Sequence, residues 1–252
     1  MSFTVAAEAY DRFMGRYSVP LTSEFADFAG VSDGQRVLDV GCGPGALTAE
    51  LAGRLGPELV SAVDPSEPFV SAAEARLPGV TVRRASAEQL PFAGRTFDAA
   101  LAQLVVHFMA EPLAGLREMV RVTREGGVVA ACVWDHGGGQ GPLSLFWEAA
   151  RQLDPAVHDE SRLAGARAGD LTELLDGAGL DEIEETALPV SVEHRTFEEW
   201  WEPFTLGVGP AGGFTSRLDE RRRAQLRELC REMLPAVPFV LSARAWAARG
   251  IV

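Results

Sequence analysis

Three glycines, two acids and one histidine carry the first chemical signal in this chain. Gly41, Gly43 and Gly45 fall within five residues, directly after the run Val37-Leu38-Asp39-Val40. With three Cβ atoms missing, another molecule can approach the backbone closely. Asp39 sits just before this turn, and Asp64 ends the next apolar run. Carboxylates so placed can accept hydrogen bonds from a ligand's amino or hydroxyl groups. His107 follows a later apolar run and is the histidine nearest the same end of the sheet. Its imidazole suits proton transfer near neutral pH. The glycines alone announce a nucleotide-like ligand and nothing narrower.

These residues need a scaffold that brings strand ends together. Pro44 can open a helix at its first turn, and Leu47, Leu51 and Leu55 then recur at helical spacing. Apolar runs at 36–40, 59–64, 80–82, 97–106 and 128–133 alternate with helical patterns at 44–55, 68–77 and 112–124. Such alternation predicts a parallel sheet wound with helices, with right-handed crossovers and a ligand at the carboxyl ends of its strands. Upstream, residues 6–29 read as helical, broken at Pro20, with a short second helix over 22–28. Beyond Trp134 the pattern changes. The segment 135–141 reads as a glycine-rich loop, 143–153, 171–178, 196–204 and 218–234 as helices, 181–192 as a strand, and 240–247 as a last strand closing the sheet.

Composition narrows the class. The 252 residues carry a net charge of −13, with 47% hydrophobic residues and 23% charged ones, enough for a full core without disulfides. All 23 basic residues are arginine, which excludes Schiff-base lysine chemistry. The acidic balance argues against binding a phosphate backbone, although Arg221-Arg222-Arg223 form a local basic run. Cys42, Cys132 and Cys230 lie far apart, so no metal site is expected. No leader-like start and no long apolar run stand out, so a cytoplasmic protein that engages no membrane is expected.

Taken in order, VLDVGCGPG, then Asp64, then ASAEQLPF, then FDAALAQLVVHF, then REGG before the fifth strand resemble a class I S-adenosylmethionine-dependent methyltransferase of the small-molecule, type 11 branch. The resemblance implies an α/β Rossmann-like, doubly wound, seven-stranded sheet, mostly parallel with an antiparallel last strand. It also implies N-terminal helices and a helical lid insertion after strand five. The chain would be one domain: a helical cap at 1–30, a cofactor-binding core at 31–135, and a lid and substrate region with the final strands at 136–252. S-adenosylmethionine would lie along Gly41, Cys42 and Gly43. Asp39 would take its amino group, Asp64 with Pro65 its ribose, and Ala87 and Glu88 its adenine. Gln103 would face the methionine portion, and Tyr10, Arg16 or Tyr17 on the N-terminal helix could reach the carboxylate. NAD is the competing cofactor, since Gly41, Gly43 and Ala46 approximate its fingerprint. The ASAEQLPF segment disfavours it.

Methyl transfer from a sulfonium is an in-line displacement, so the protein mainly aligns the partners. His107 is the candidate general base. The acceptor, expected to be a small molecule rather than nucleic acid, would sit beneath the segment after 134. There Trp134, Trp147, Trp200, Trp201, Phe204 and Phe214 line an apolar pocket or simply form core. Two other readings stay open, a non-catalytic S-adenosylmethionine-binding protein and an RNA methyltransferase. A homodimer is also open.

Overall fold

Alternation of side chains along the strands determines how this molecule is layered. The computed structural model describes residues 7–252. The chain opens with α1 (Ala7–Tyr10), a π-helical turn (Asp11–Gly15) and α2 (Arg16–Phe28). A wound core follows: β1 (Val37–Val40), α3 (Ala46–Leu55), β2 (Val60–Asp64), α4 (Glu67–Arg76), β3 (Thr81–Arg84), β4 (Phe97–Gln103), α5 (Pro112–Val122) and β5 (Thr123–Trp134). Then come α6 (Ser144–Leu153), α7 (Asp170–Ala178), β6 (Asp181–His194), α8 (Phe197–Trp201), α9 (Gly209–Arg217), α10 (Glu220–Met233) and β7 (Phe239–Ile251).

The seven strands form one sheet in the order β3-β2-β1-β4-β5-β7-β6. β1 pairs in parallel with both β2 and β4. β7 runs antiparallel between β5 and β6. This is the expected Rossmann-like, doubly wound fold. Ala99, Leu101, Ala130, Cys132 and Trp134 bury on one face of the sheet with α2, α3 and α6. Ala100, Ala102, Val129, Ala131 and Val133 bury on the other with α5 and α7. The period of two is that of strands covered on both sides. Successive strands depart to opposite sides of β1, so a crevice opens where β1 and β4 end.

Two features differ from the sequence reading. Pro20 lies inside α2 rather than between helices. Tyr17, Leu21 and Phe25 pack into the core on that helix and outweigh the lost backbone bond. Gly209–Arg217 is helical despite its glycines. The helical insertion comes in two blocks, α6–α7 after β5 and α8–α10 between β6 and β7. The last strand lies within the sheet, between β5 and β6. No helix among the described residues is long and apolar enough to cross a membrane.

Candidate functional site

The glycine turn is stitched to the neighbouring strand. The amides of Gly41 and Cys42 both donate to the carbonyl of Val63, at 2.8 and 2.9 Å. Gly45 caps α3 with φ of 100°. The three glycines serve different ends. A Cβ on Gly41 would lie 2.5 Å from both Val105 methyl carbons, and one on Gly45 would lie 2.9 Å from Leu77. Gly43, at φ of 55°, would meet nothing within 4 Å. Gly43 alone of the three therefore presents bare backbone to open space, while Gly41 and Gly45 admit the protein's own side chains.

That space is a cavity of about 570 Å³ at the carboxyl ends of β1, β2 and β4, within the range of cofactor sites. Asp39, Gly41, Cys42, Gly43, Asp64, Pro65, Ala87, Glu88, Gln103 and Tyr10 all line it. Asp39 is 1% exposed and accepts a 2.6 Å bond from the Thr48 hydroxyl. Burial pushes its carboxyl up to about 7, the Thr48 bond opposing and the nearby Asp64 charge adding to the rise. Asp64 is held at both oxygens: Oδ2 accepts from the Gly43 amide at 2.9 Å and Oδ1 from the Ser66 amide at 2.8 Å. Burial raises its pKa against those two bonds.

Glu88 accepts from the Ala110 amide at 2.8 Å and the Glu111 amide at 3.4 Å. Burial opposes its ionisation, but its own amide, these two bonds and the Ser86 hydroxyl hold the carboxyl below its ordinary range. Gln103 donates through Nε2 to the carbonyl of Ser18 at 3.2 Å, which ties the end of β4 to α2. Its Oε1 and the Ser18 hydroxyl are buried without a partner, and both residues line the cavity. Unsatisfied buried oxygens are costly and mark where a donor belongs.

Two expected contacts lie elsewhere. Arg16 and Tyr17 do not line this cavity. Arg16 Nη1 lies 2.8 Å from Nδ1 of His194, and Nη2 donates to Glu199 at 3.0 Å. A guanidinium only donates, so Nδ1 of His194 accepts and its Nε2–H donates to the Tyr17 oxygen, 3.0 Å away. Burial, with the Arg16 charge, lowers the His194 pKa to about 4. These partners pin the N-terminal helix to β6 and α8. Tyr10 does reach the cavity, its ring edge-to-face with Phe69 at 5.3 Å.

His107 also lies off the main cavity. It sits in a 3₁₀ turn (Val106–Phe108) and lines a smaller neighbouring space with Trp134, His136 and Glu160. Burial, then the His136 charge, hold its pKa well below the ordinary value. Trp147, Trp200, Trp201, Phe204 and Phe214 are core, with Phe146 and Phe204 stacked at 4.4 Å.

Sequence reasoning missed Ser18, Leu104 and Phe108. Ser18 is signalled only by Gln103, 85 residues away. Leu104 has φ of 61°, a left-handed conformation that a branched side chain resists, at the point where β4 meets the cavity.

Residues 38–131 match the family described as methyltransferase domain. The match runs from β1 into β5. Over 168 residues the chain is 32% identical to a ubiquinone biosynthesis O-methyltransferase of Cereibacter sphaeroides. That match covers 63% of the chain and 66% of the relative, just under two thirds. Two solved structures share the fold of the methyltransferase domain. One is the Haemonchus contortus phosphoethanolamine N-methyltransferase 2 in complex with S-adenosyl-L-methionine, with a TM-score of 0.60 at 16% identity, covering 97% of this chain and 56% of that one. The other is the [4+2]-cyclase SpnF, with a TM-score of 0.55 at 22% identity, covering 93% of this chain and 81% of that one. Methyltransferase-like folds thus serve more than one chemistry, and the site must carry the functional argument.

Proposed function

We propose that this protein transfers the methyl group of S-adenosylmethionine to a small-molecule acceptor. The observation that carries the reading is the Asp64 carboxylate, fixed by the amides of Gly43 and Ser66 on the wall of the large cavity. Both oxygens keep lone pairs for a ribose diol. The bare backbone at Gly43 lets the ligand lie against the turn. Gln103 Oε1, the Ser18 hydroxyl and Asp39 give a ligand ammonium group oxygen partners. Glu88, bonded through Oε1 to two amides, keeps Oε2 for an adenine amine.

When bound, the cofactor supplies a methyl group already activated on a sulfonium sulfur. The chain's task is to align the acceptor and exclude water. Tyr10 and Phe108, which line both cavities, form the wall between cofactor and acceptor. His107, held neutral by burial, serves as the proton acceptor in this reading. The net charge of −13 favours a small acceptor over a nucleic acid, and the Cereibacter relative named for O-methylation supports transfer to oxygen.

Calorimetry with S-adenosylmethionine, S-adenosylhomocysteine and NAD tests this. The first two should bind wild type, and Asp64→Ala should weaken them by tenfold or more. Binding of NAD without S-adenosylmethionine would overturn the proposal.

A further inference from the structure

The smaller cavity beside the cofactor space holds polar groups that the large site does not use. It measures about 30 Å³ and shares Tyr10, Leu104 and Phe108 with the large one. Its remaining wall is mostly apolar, including Phe13, Met14, Leu143 and Val208. Set into that wall are His107, Trp134, His136 and Glu160. His107 Nδ1, Trp134 Nε1 and His136 Nε2 are buried without a hydrogen-bond partner. His107 is 7%, Trp134 2% and Glu160 3% exposed. The two imidazole centres are 5.9 Å apart, near enough for one small polar group to touch both rings.

The protonation of these groups defines what fits. Burial drives His136 down to about 4, with Asp135 and Asp159 only partly opposing, and His107 is also held low. Both imidazoles are therefore neutral near pH 7. Glu160 is pushed up to about 7 by burial, against the 2.8 Å bond that Trp147 Nε1 donates to it. No arginine is among the described residues lining this space, so nothing there balances a carboxylate or phosphate. A hydroxyl both donates and accepts, so it can satisfy a neutral imidazole nitrogen and an indole N–H together. The apolar walls suit a ring behind that hydroxyl.

We propose that this space is the end-pocket for the acceptor, that it takes a neutral aromatic hydroxyl, and that His107, His136 and Trp134 hold that group. The assignment rests on the methyltransferase reading of the large cavity for its purpose, though not for its ligand chemistry. The 30 Å³ space matches the reacting end of an acceptor, the remainder extending past Tyr10 and Phe108 toward the large cavity. His136 and Glu160 come from loops of the segment after β5, so the insertion contributes specificity rather than only a cover.

The test titrates phenol, aniline and benzoate into wild type with and without S-adenosylhomocysteine, following ring ¹⁵N shifts of the histidines. The chain has four histidines, so His107→Asn and His136→Gln assign the signals. Phenol should shift His107 and His136 and leave His158 and His194 unmoved. Each variant should weaken phenol at least tenfold while S-adenosylhomocysteine affinity stays within twofold. Equal or tighter binding of benzoate or aniline, or phenol shifts absent from both rings, would overturn the proposal. Wild-type shifts decide the matter even if a variant fails to fold. Failure of S-adenosylhomocysteine to bind would instead sink the reading of the large cavity, and the cofactor-free titration would still judge the end-pocket.

Discussion

Gly41 and Gly43 are two residues apart, yet substitution should damage different properties. Both have positive φ, of 73° and 55°, so alanine at either costs about 1–2 kcal/mol of backbone strain. At Gly43 that is the whole structural cost, because the new methyl meets nothing within 4 Å. At Gly41 the methyl would lie 2.5 Å from two Val105 carbons and 3.0 Å from a third. Overpacking adds about 1–3 kcal/mol, giving a total of roughly 2–5 kcal/mol. Urea denaturation should therefore rank Gly41→Ala well below Gly43→Ala in stability. Calorimetry should reverse the emphasis: Gly43→Ala places its methyl where the cofactor backbone contact belongs and should lose S-adenosylmethionine binding at least tenfold. Val105→Ala removes the two nearest of these carbons and leaves its Cβ, the one at 3.0 Å, so the double variant with Gly41→Ala should recover about 1–2 kcal/mol relative to additivity. Equal stabilities for the two glycine variants, no coupling to Val105, or unimpaired cofactor binding by Gly43→Ala would each refute the division of labour among these glycines.

Three further outcomes follow from the buried charges. Asp39 has its folded pKa raised to about 7, so the folded state binds more protons than the unfolded one between about 4 and 7. Its contribution to stability is fully present below about 4 and lost as pH rises through about 7, and Asp39→Asn should flatten that part of the pH–stability curve. Cofactor affinity should move oppositely, rising as pH climbs through that range and Asp39 gains the charge that attracts an ammonium group. Arg244→Met should cost about 3 kcal/mol in urea denaturation, because it strands the buried Asp135 carboxylate, which Arg244 Nε reaches at 3.0 Å. Trp147→Phe removes the donor to Glu160, and thermal unfolding should show a loss of about 1–3 kcal/mol that Glu160→Leu in the same background partly restores.

The cofactor half was largely legible because local signals agree with one another. A strand, a glycine turn and a capped helix are encoded in consecutive residues, and the acid ending β2 follows at a readable interval. The same economy explains the misreadings. Gly41 and Gly45 look like Gly43 in sequence, and only Val105 and Leu77 reveal that their missing Cβ atoms serve internal packing. Arg16 and Tyr17 look available for a carboxylate until His194, far along the chain, is brought to them. His107 was visible as a titratable residue, but its companions His136 and Glu160 arrive from a loop whose glycines and charges encode no periodicity. Pro20 and the glycines of α9 misled for a related reason, since burial of Leu21, Phe25 and Phe214 outweighs local propensity.

The place of β7 has a consequence for how the chain is made. β6 finds its partner in the sheet only through β7, and the outer edge of β5 is covered by the same strand. On a ribosome the wound core through residue 134 can assemble early, but β5 then offers an open edge while more than a hundred further residues are synthesised. β6, with the exposed acids Asp181, Glu182, Glu184 and Glu193, emerges during that wait without a sheet to join. Charges on an unpaired strand oppose its pairing with a second copy, and Phe239–Ile251 is the segment that fills the gap between the two edges.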